Sequence, residues 1–334
     1  MTTHADNAAA APDFQLSVGP VTYYWTRSTL TAFYAEVAES AARTIYLGET
    51  VCARRREEMK LEDWFDLARD LAAAGKEVVL SAQVLIESES DLRVLRRLAE
   101  NTEFQVEAND AAALRLLAGR GAFVIGPHVN VYSGDALREH ALLGPTRWVA
   151  PLELSIEQVA AINPAADPVR SGGPQAGGDA TPIESEIFAF GRMPLAFSAR
   201  CFTARHYHLQ KDDCAFRCIE HPDGLLLTSR EGEPFLAING IQTQSAGTHC
   251  LIGARDALAG AGIRRLRLSP QSQHFPEIVR CFDAVFNRGE SAQDAAETIG
   301  ALCLPGGMVN GYASGQPGKD WTPVAPAAHG RISA

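Results

Sequence analysis

Short runs of β-branched and aromatic residues alternate along the chain with longer segments in which an apolar residue recurs every three or four positions. This alternation predicts β/α units around a parallel sheet, because strands and helices bury their apolar residues with different periods. The predicted strands are 21–25, 44–49, 77–83, 104–110, 122–127, 147–154, 187–195 and 264–269, and residues 224–230 and 234–243 resemble a hairpin. The predicted helices are 29–42, 61–74, 91–100, 111–118, 134–143, 155–162, 251–261 and 277–286.

Seven or eight β/α units in 334 residues favour one α/β domain, a TIM-barrel-like (β/α)8 fold, over an open doubly wound sheet. The sequence has no GxxxxGK[ST], and no GxGxxG opens a helix after the first strand, which disfavours P-loop and dinucleotide-binding folds. We expect the barrel-like domain to span residues 16–303. Within it, the Pro- and Gly-rich residues 163–183 predict a flexible insertion and residues 196–221 a Cys-rich cluster-binding loop. Residues 1–15 are interpreted as a disordered tail and residues 304–334 as an irregular one.

Composition and charge exclude several classes of protein. The chain is 46% hydrophobic and 21% charged, which is typical of a globular protein. Its net charge of −10 repels phosphate backbones, so sequence-independent nucleic-acid binding is not expected. No apolar run approaches the roughly 18 residues of a membrane span, and residues 1–15 lack the pattern of an export signal. We therefore expect a cytoplasmic protein without a membrane span.

Polar residues follow several of the predicted strands. In a barrel these positions meet at the carboxyl ends of the strands, where the active sites of such barrels lie. An alternative interpretation is that each residue only caps the next helix. Together the residues predict one polar pocket, formed by Glu49, Glu107, Asn109, His128, Asn130 and Glu153.

Three of the seven cysteines crowd one segment. Cys201, Cys214 and Cys218 have the spacing C-x12-C-x3-C, whereas Cys250, Cys281 and Cys303 are scattered like cysteines that pack in a core. A reducing compartment disfavours disulfides, so the crowded thiols indicate a metal site. Zinc remains open, although the paired C-x2-C knuckles of structural zinc sites are missing.

An iron–sulfur cluster tolerates irregular spacing, and a 4Fe-4S cluster commonly takes four thiolates. Cys52 is the best candidate for the fourth ligand. It comes three residues after the predicted strand 44–49, on the barrel face where the Cys-rich loop should emerge. Arginines that would offset the negative charge of such a cluster flank these cysteines at Arg54, Arg55, Arg56, Arg200, Arg205 and Arg217.

Four segments carry a resemblance to a known family: YLGETVCARRR, MPLAFSARCFTARHYHLQKDDCAFRC, FLAINGIQTQS and RLRLSPQ. Together they resemble the collagenase-like family of unassigned peptidases, from about residue 16 to about residue 321. The resemblance implies a barrel-like fold and a 4Fe-4S cluster held by Cys52, Cys201, Cys214 and Cys218. It also implies a heterodimer with a UbiU-type sister protein.

The function that this resemblance implies is oxygen-independent, anaerobic hydroxylation of the ring in ubiquinone biosynthesis, with this chain as an iron–sulfur subunit. The implied substrate is a prenylated aromatic quinone precursor that partner proteins, including a lipid-binding one, would present. The resemblance further suggests prephenate as the oxygen source, and it identifies no catalytic residue.

Two alternatives to that function remain open: a structural scaffold that holds zinc or a cluster, and an RNA-modifying member of the same broad family. Peptidase activity has no support in the residues, because the sequence lacks HExxH and GxSxG and shows no convincing Cys-His pair.

Overall fold

The computed structural model describes residues 14–172 and 180–324, and its central feature is a closed parallel barrel. The barrel has eight strands, β1 to β7 and β11, and each pairs in parallel with its neighbours. Strand β11 closes the barrel between β7 and β1. The strands in these residues are β1 Gln15–Val18, β2 Thr44–Leu47, β3 Glu77–Ser81, β4 Gln105–Ala108, β5 Phe123–Ile125, β6 Pro145–Val149, β7 Glu184–Phe197, β8 Leu225–Thr228, β9 Pro234–Asn239, β10 Gln242–Cys250, β11 Arg265–Leu268 and β12 Met308–Val309. The prediction of a single TIM-barrel-like α/β domain is confirmed.

Helices connect the barrel strands and cover their outer faces. One helix follows each of the first six strands, and two follow β11. Their apolar faces pack on the barrel as the main hydrophobic core. The helices are α1 Arg27–Ala38, α2 Leu61–Ala73, α3 Glu89–Ala99, α4 Ala111–Leu117, α5 Gly134–Ala141, α6 Ile156–Ile162, α7 Phe202–His206, α8 Arg255–Gly260, α9 Phe275–Arg288 and α10 Ala292–Leu302. In the described part of the chain, no helix is long and apolar enough to span a membrane.

Strand β7 is long enough to belong to two sheets. Its first half pairs in parallel with β6 and β11, and its second half pairs antiparallel with β10. The predicted hairpin is confirmed as β8 and β9, and β9 pairs in turn with β10. Antiparallel strands therefore extend the sheet beyond the carboxyl end of the barrel. The Cys-rich loop lies between β7 and β8.

The interior of the barrel is polar and charged. Arg267 on β11 donates to Glu107 at 2.6 Å and to Glu186 at 2.9 Å, and its guanidinium lies 3.8 Å from the ring centre of Tyr46. Arg147 donates to the Tyr46 hydroxyl at 2.9 Å. Burial by itself would raise the pKa of Glu186, but Arg267 and Arg147 outweigh it and lower that pKa. The buried charges are thus paired, as the low-dielectric interior requires.

The first predicted strand was wrong. Strand β1 is Gln15–Val18, and residues 21–25 form a loop at the carboxyl end of the barrel, where Tyr23, Tyr24 and Trp25 are buried. Their aromatic composition is typical of a strand, but their backbone joins no strand pairing. Tyr24 lies against Phe216, and Trp25 packs on Phe33 of α1 and donates to the carbonyl of Pro222. Propensity in such a run reports burial and not sheet pairing.

Other segments differ from the predictions to a smaller extent. The sequence pattern did not reveal α10 or most of β10, and β12, which lies in the predicted irregular tail, pairs with β10. In the predicted flexible insertion, Asn163 bonds the backbone of Val169 and Ile183 and so holds the two ends together. The middle of that insertion (residues 173–179) and the terminal residues 1–13 and 325–334 lie outside the described residues.

Candidate functional site

The loop after β2 carries Cys52 and is shaped by two residues before it. Gly48 adopts a φ of +138°, and a Cβ there would lie 2.5 Å from the carbonyl oxygen of Ser81. The carboxylate of Glu49 then accepts the backbone N–H groups of Val51 and Cys52, each at 2.9 Å. Burial raises the pKa of Glu49, while Arg55 and these two hydrogen bonds lower it. Cys52 is therefore held by its own loop at the carboxyl end of the barrel.

Cys201 lies four residues after β7 and begins helix α7. Its Sγ accepts the backbone N–H of Ala204 at 3.3 Å. The tip of the β9–β10 hairpin anchors this helix through Gly240. The carbonyl of Gly240 accepts the N–H of Phe202 at 2.8 Å, and the N–H of Gly240 donates to the Thr203 hydroxyl at 2.9 Å. The segment FLAINGIQTQS, singled out in the sequence, thus includes the hairpin tip that positions Cys201.

Cys214 and Cys218 flank a strained turn. Ala215 and Phe216 have positive φ angles of 48° and 50°, a conformation that costs a non-glycine residue about 1 to 2 kcal/mol. The turn is stabilised by the Phe216 ring, which packs 5.6 Å from that of Tyr24, with the Arg54 guanidinium 5.4 Å from its centre. Strained non-glycine backbone of this kind clusters at functional sites.

The four predicted cysteines lie on two loops at the carboxyl end of the barrel, one after β2 and one between β7 and β8. Besides burial, the pKa of Cys201 is raised by Cys218 and Cys214, and the pKa of Cys52 by Glu49 and Cys201. All four are free thiols, and Cys214 is buried while the others are partly buried. These pKa influences connect Cys201 with each of the other three thiols.

Arg55 is the buried cation at this site. Its Nη1 donates to the carbonyl of Thr22 at 2.7 Å and its Nη2 to Oδ1 of Asn239 at 2.6 Å. Burial by itself would lower the pKa of Arg55, but Cys218, Glu49 and Cys52 outweigh it and raise that pKa. The guanidinium therefore stays charged beside the thiols. The sequence identified Arg55 only as one of several nearby arginines.

The four cysteine thiols could hold either a single metal ion or an iron–sulfur cluster. Among residues 14–172 and 180–324, no three His, Cys, Asp or Glu side chains converge as the ligands of one metal ion. The described residues therefore contain no preformed tetrahedral zinc site. In a 4Fe-4S cluster each thiolate binds a different iron atom, so its ligands need not converge on one point. Thiolate donors beside a buried cation also fit the negative charge of such a cluster.

The histidines of the Cys-rich loop are placed differently from the thiols. His206 and His208 are exposed, while His221 is partly buried and its Nε2 lies 2.7 Å from the hydroxyl of Tyr207. Arg217 lies over that tyrosine ring at 4.4 Å. The Tyr207–His221 contact joins the end of helix α7 to the end of the loop, so His221 has a structural role there.

A second feature is a small cavity at the carboxyl mouth of the barrel, which we call the mouth cavity and whose volume is about 30 Å³, room for one or two water molecules. Of the six predicted pocket residues, Glu107, Asn109 and His128 line it. The prediction of one pocket was wrong for the other three, because Glu49 lies with Cys52 while Asn130 and Glu153 are exposed. The sequence analysis missed the lining residues Thr22, Arg192, Gln244 and Arg267, which come from the β1 loop and from strands β7, β10 and β11.

Buried polar atoms on four residues that line the mouth cavity have no hydrogen-bond partner among the described residues. They include two donors, Nε of Arg192 and Nη2 of Arg267, and two acceptors, Oδ1 of Asn109 and Oε1 of Gln244. Burial, reinforced by Arg267, lowers the pKa of His128 to about 3, so its ring is neutral. Unpaired buried donors and acceptors are costly, so each needs a polar partner, which ordered water can supply in a cavity of this size.

Comparison with known proteins gives a family match. The model of Peptidase family U32 matches residues 29–322, most of the chain. A collagenase of Porphyromonas gingivalis (strain ATCC BAA-308 / W83) is 22% identical over 310 residues, which cover 85% of this chain and 71% of that protein.

Among solved structures, the U32 peptidase Mk0906 is 12% identical with a TM-score of 0.39, covering 80% of this chain and 97% of that one. A phospho-2-dehydro-3-deoxyheptonate aldolase of Thermotoga maritima is 12% identical with a TM-score of 0.34, covering 85% of this chain and 72% of that one. The barrel assignment rests on the strand pairing described above.

Proposed function

Because the chain belongs to Peptidase family U32, we propose that it is a UbiV-type member of that family. In this proposal it is the iron–sulfur subunit of a UbiU–UbiV-type heterodimer. The complex would hydroxylate the ring of a prenylated quinone precursor in ubiquinone biosynthesis without dioxygen.

The observation that carries the proposal is the four-thiol site. Cys52 comes from the loop after β2, and the other three cysteines come from the segment between β7 and β8, almost 150 residues later. A 4Fe-4S cluster would be held by Cys52, Cys201, Cys214 and Cys218, and when bound it would supply one-electron redox chemistry. The chain supplies the charge balance through Arg55 and shields the site with the Phe216 and Tyr24 rings.

In this proposal the mouth cavity is part of the substrate site, and it must widen to admit a molecule larger than water. Its unpaired Arg192 and Arg267 N–H groups suit a carboxylate, and the unpaired oxygens of Asn109 and Gln244 suit a hydroxyl group. Prephenate, the suggested oxygen source, carries both kinds of group. Thr22 connects the two sites, since its carbonyl accepts from Arg55 and its side chain lines the cavity.

The experiment that tests the proposed function is metal and sulfide analysis of the full chain, purified without oxygen. We expect about four irons and four sulfides per chain and an absorption band near roughly 400 nm. Zinc without iron would contradict the cluster and favour the scaffold alternative. Co-expression with a UbiU-type protein tests the partner, because separate elution of the two chains on a sizing column would contradict the heterodimer.

A further inference from the structure

We propose that Arg55 is a positioning residue that sets the reduction potential of the cluster, with Asn239 holding its guanidinium in place. This inference rests on the proposed function, because it concerns the group that the four thiols would bind. It concerns a residue that contacts the ligand loops and is not itself a ligand.

The first observation is that Arg55 is fixed at both ends of its guanidinium. Nη1 donates to Thr22 and Nη2 to Asn239, and the Asn239 amide also donates to the same Thr22 carbonyl at 2.7 Å. Only 3% of the Arg55 surface is exposed. A Cβ on Gly240 would lie 2.9 Å from Nη2 of Arg55, so the hairpin tip packs directly on the guanidinium. Such a group keeps its position when the charge beside it changes.

The second observation concerns the charge of Arg55. No carboxylate in the described part of the chain forms a salt bridge with it, whereas the adjacent Arg56 pairs with Asp91 at 3.0 Å. The two oxygens that Arg55 contacts belong to a backbone carbonyl and an amide, which are neutral. The backbone N–H of Arg55 donates to the carbonyl of Cys52 at 2.9 Å, and its guanidinium lies 5.6 Å from the ring centre of Tyr24, which packs against Phe216 between Cys214 and Cys218. Its positive charge is therefore left to act on both cysteine loops, and Cys218, Glu49 and Cys52 raise its pKa.

The fixed charge of Arg55 should affect how readily the cluster accepts an electron. A cluster that accepts one electron gains one negative charge, and a fixed buried cation favours that reduced form. Removing the cation should therefore make reduction less favourable and shift the midpoint potential to a more negative value. Replacing Arg55 with lysine should reverse part of this change in potential, because lysine keeps the positive charge but lacks the planar guanidinium that makes two hydrogen bonds.

The test is a dithionite titration, monitored by electron paramagnetic resonance, of the anaerobically purified full chain with its partner. In each titration one electron passes from dithionite to the cluster. We expect a more negative midpoint potential for Arg55→Gln and an intermediate value for Arg55→Lys. Arg56→Gln is the matched control, since it removes the same charge from the neighbouring residue whose guanidinium is already paired with Asp91. Its potential should equal that of the wild type.

A second variant keeps the proposal testable if Arg55→Gln binds no iron. Asn239→Ala leaves the charge and frees one end of the guanidinium, so we expect a smaller shift in the same direction. A wild-type potential in iron-loaded Arg55→Gln would overturn the proposal, and so would an equal shift in Arg56→Gln. If Arg55→Gln cannot be loaded, a wild-type potential in Asn239→Ala would overturn it. Failure of the proposed function is distinct, because the wild-type chain would then lack iron and sulfide.

Discussion

The carboxylate of Glu49 accepts the backbone N–H of Cys52 at 2.9 Å, so a residue three positions before the cysteine sets the direction of its loop. The same carboxylate accepts the N–H of Val51. These bonds replace those that the backbone would make in a strand, because the chain leaves the sheet after Leu47.

Substitution of Glu49 tests this loop. Glu49→Ala leaves two N–H groups without their acceptor and should lower the free energy of unfolding by about 1 to 3 kcal/mol. It should also lower the iron bound per chain. Glu49→Gln keeps one acceptor oxygen and should lose less of both. Urea denaturation and iron analysis measure the two effects, with the exposed Glu153→Ala as control; equal losses in Glu49→Ala and Glu153→Ala would contradict the role of Glu49.

Each of the four site cysteines should be needed for iron. We expect Cys52→Ala, Cys201→Ala, Cys214→Ala and Cys218→Ala each to lose most of the bound iron, because a cubane would lack one thiolate. Cys250→Ala, Cys281→Ala and Cys303→Ala are controls that lie elsewhere in the fold and should keep it. Iron and sulfide analysis decides the point. Normal iron in Cys52→Ala would contradict the assignment of the fourth ligand.

Arg267 should be a major determinant of stability. Arg267→Met leaves Glu107 and Glu186 buried without their shared partner and should cost about 3 to 5 kcal/mol. Arg97→Ala, which breaks only the exposed pair with Glu62, should cost less than about 1 kcal/mol. Urea denaturation of both variants provides the comparison. Similar losses in the two would show that the barrel interior does not depend on this arginine.

The mouth cavity should need Arg192 for a carboxylate ligand. Arg192→Lys removes the unpaired Nε and should weaken prephenate binding by about tenfold or more, while the iron content stays normal. Isothermal titration calorimetry measures the affinity, and the exposed Arg200→Lys is the control. Wild-type affinity in Arg192→Lys would place the ligand elsewhere.

Stability should fall in acid partly because of His249. Burial lowers its pKa to about 4, below the ordinary value of about 6.5 in the unfolded chain. Between these values the unfolded state binds the proton and the folded state does not, so stability rises with pH and is lost as pH falls. The loss from pH 7 to pH 5 should be about 2 kcal/mol. His249→Gln should flatten this dependence in urea denaturation, and His206→Gln, an exposed control, should not.

Much of the architecture followed from the sequence. Helices such as α2 and α3 were predicted to within a few residues because their apolar spacing is regular and local. The strand around Arg265–Leu268 was also predicted, but not that its two arginines would point into the barrel. That outcome depends on carboxylates from β3, β4 and β7, which are distant in sequence.

The candidate site was also predicted only in part from the sequence. The sequence predicted the four cysteines and, through the order of strands, the end of the barrel at which their loops lie. Only the tertiary structure decided that Arg55 is buried and held by Asn239 and Thr22, because these partners are distant from it in sequence. It also decided the composition of the mouth cavity, where residues of β7, β10 and β11 converge. Spacing along a chain records local periodicity, whereas a partner's identity depends on the packing of distant segments.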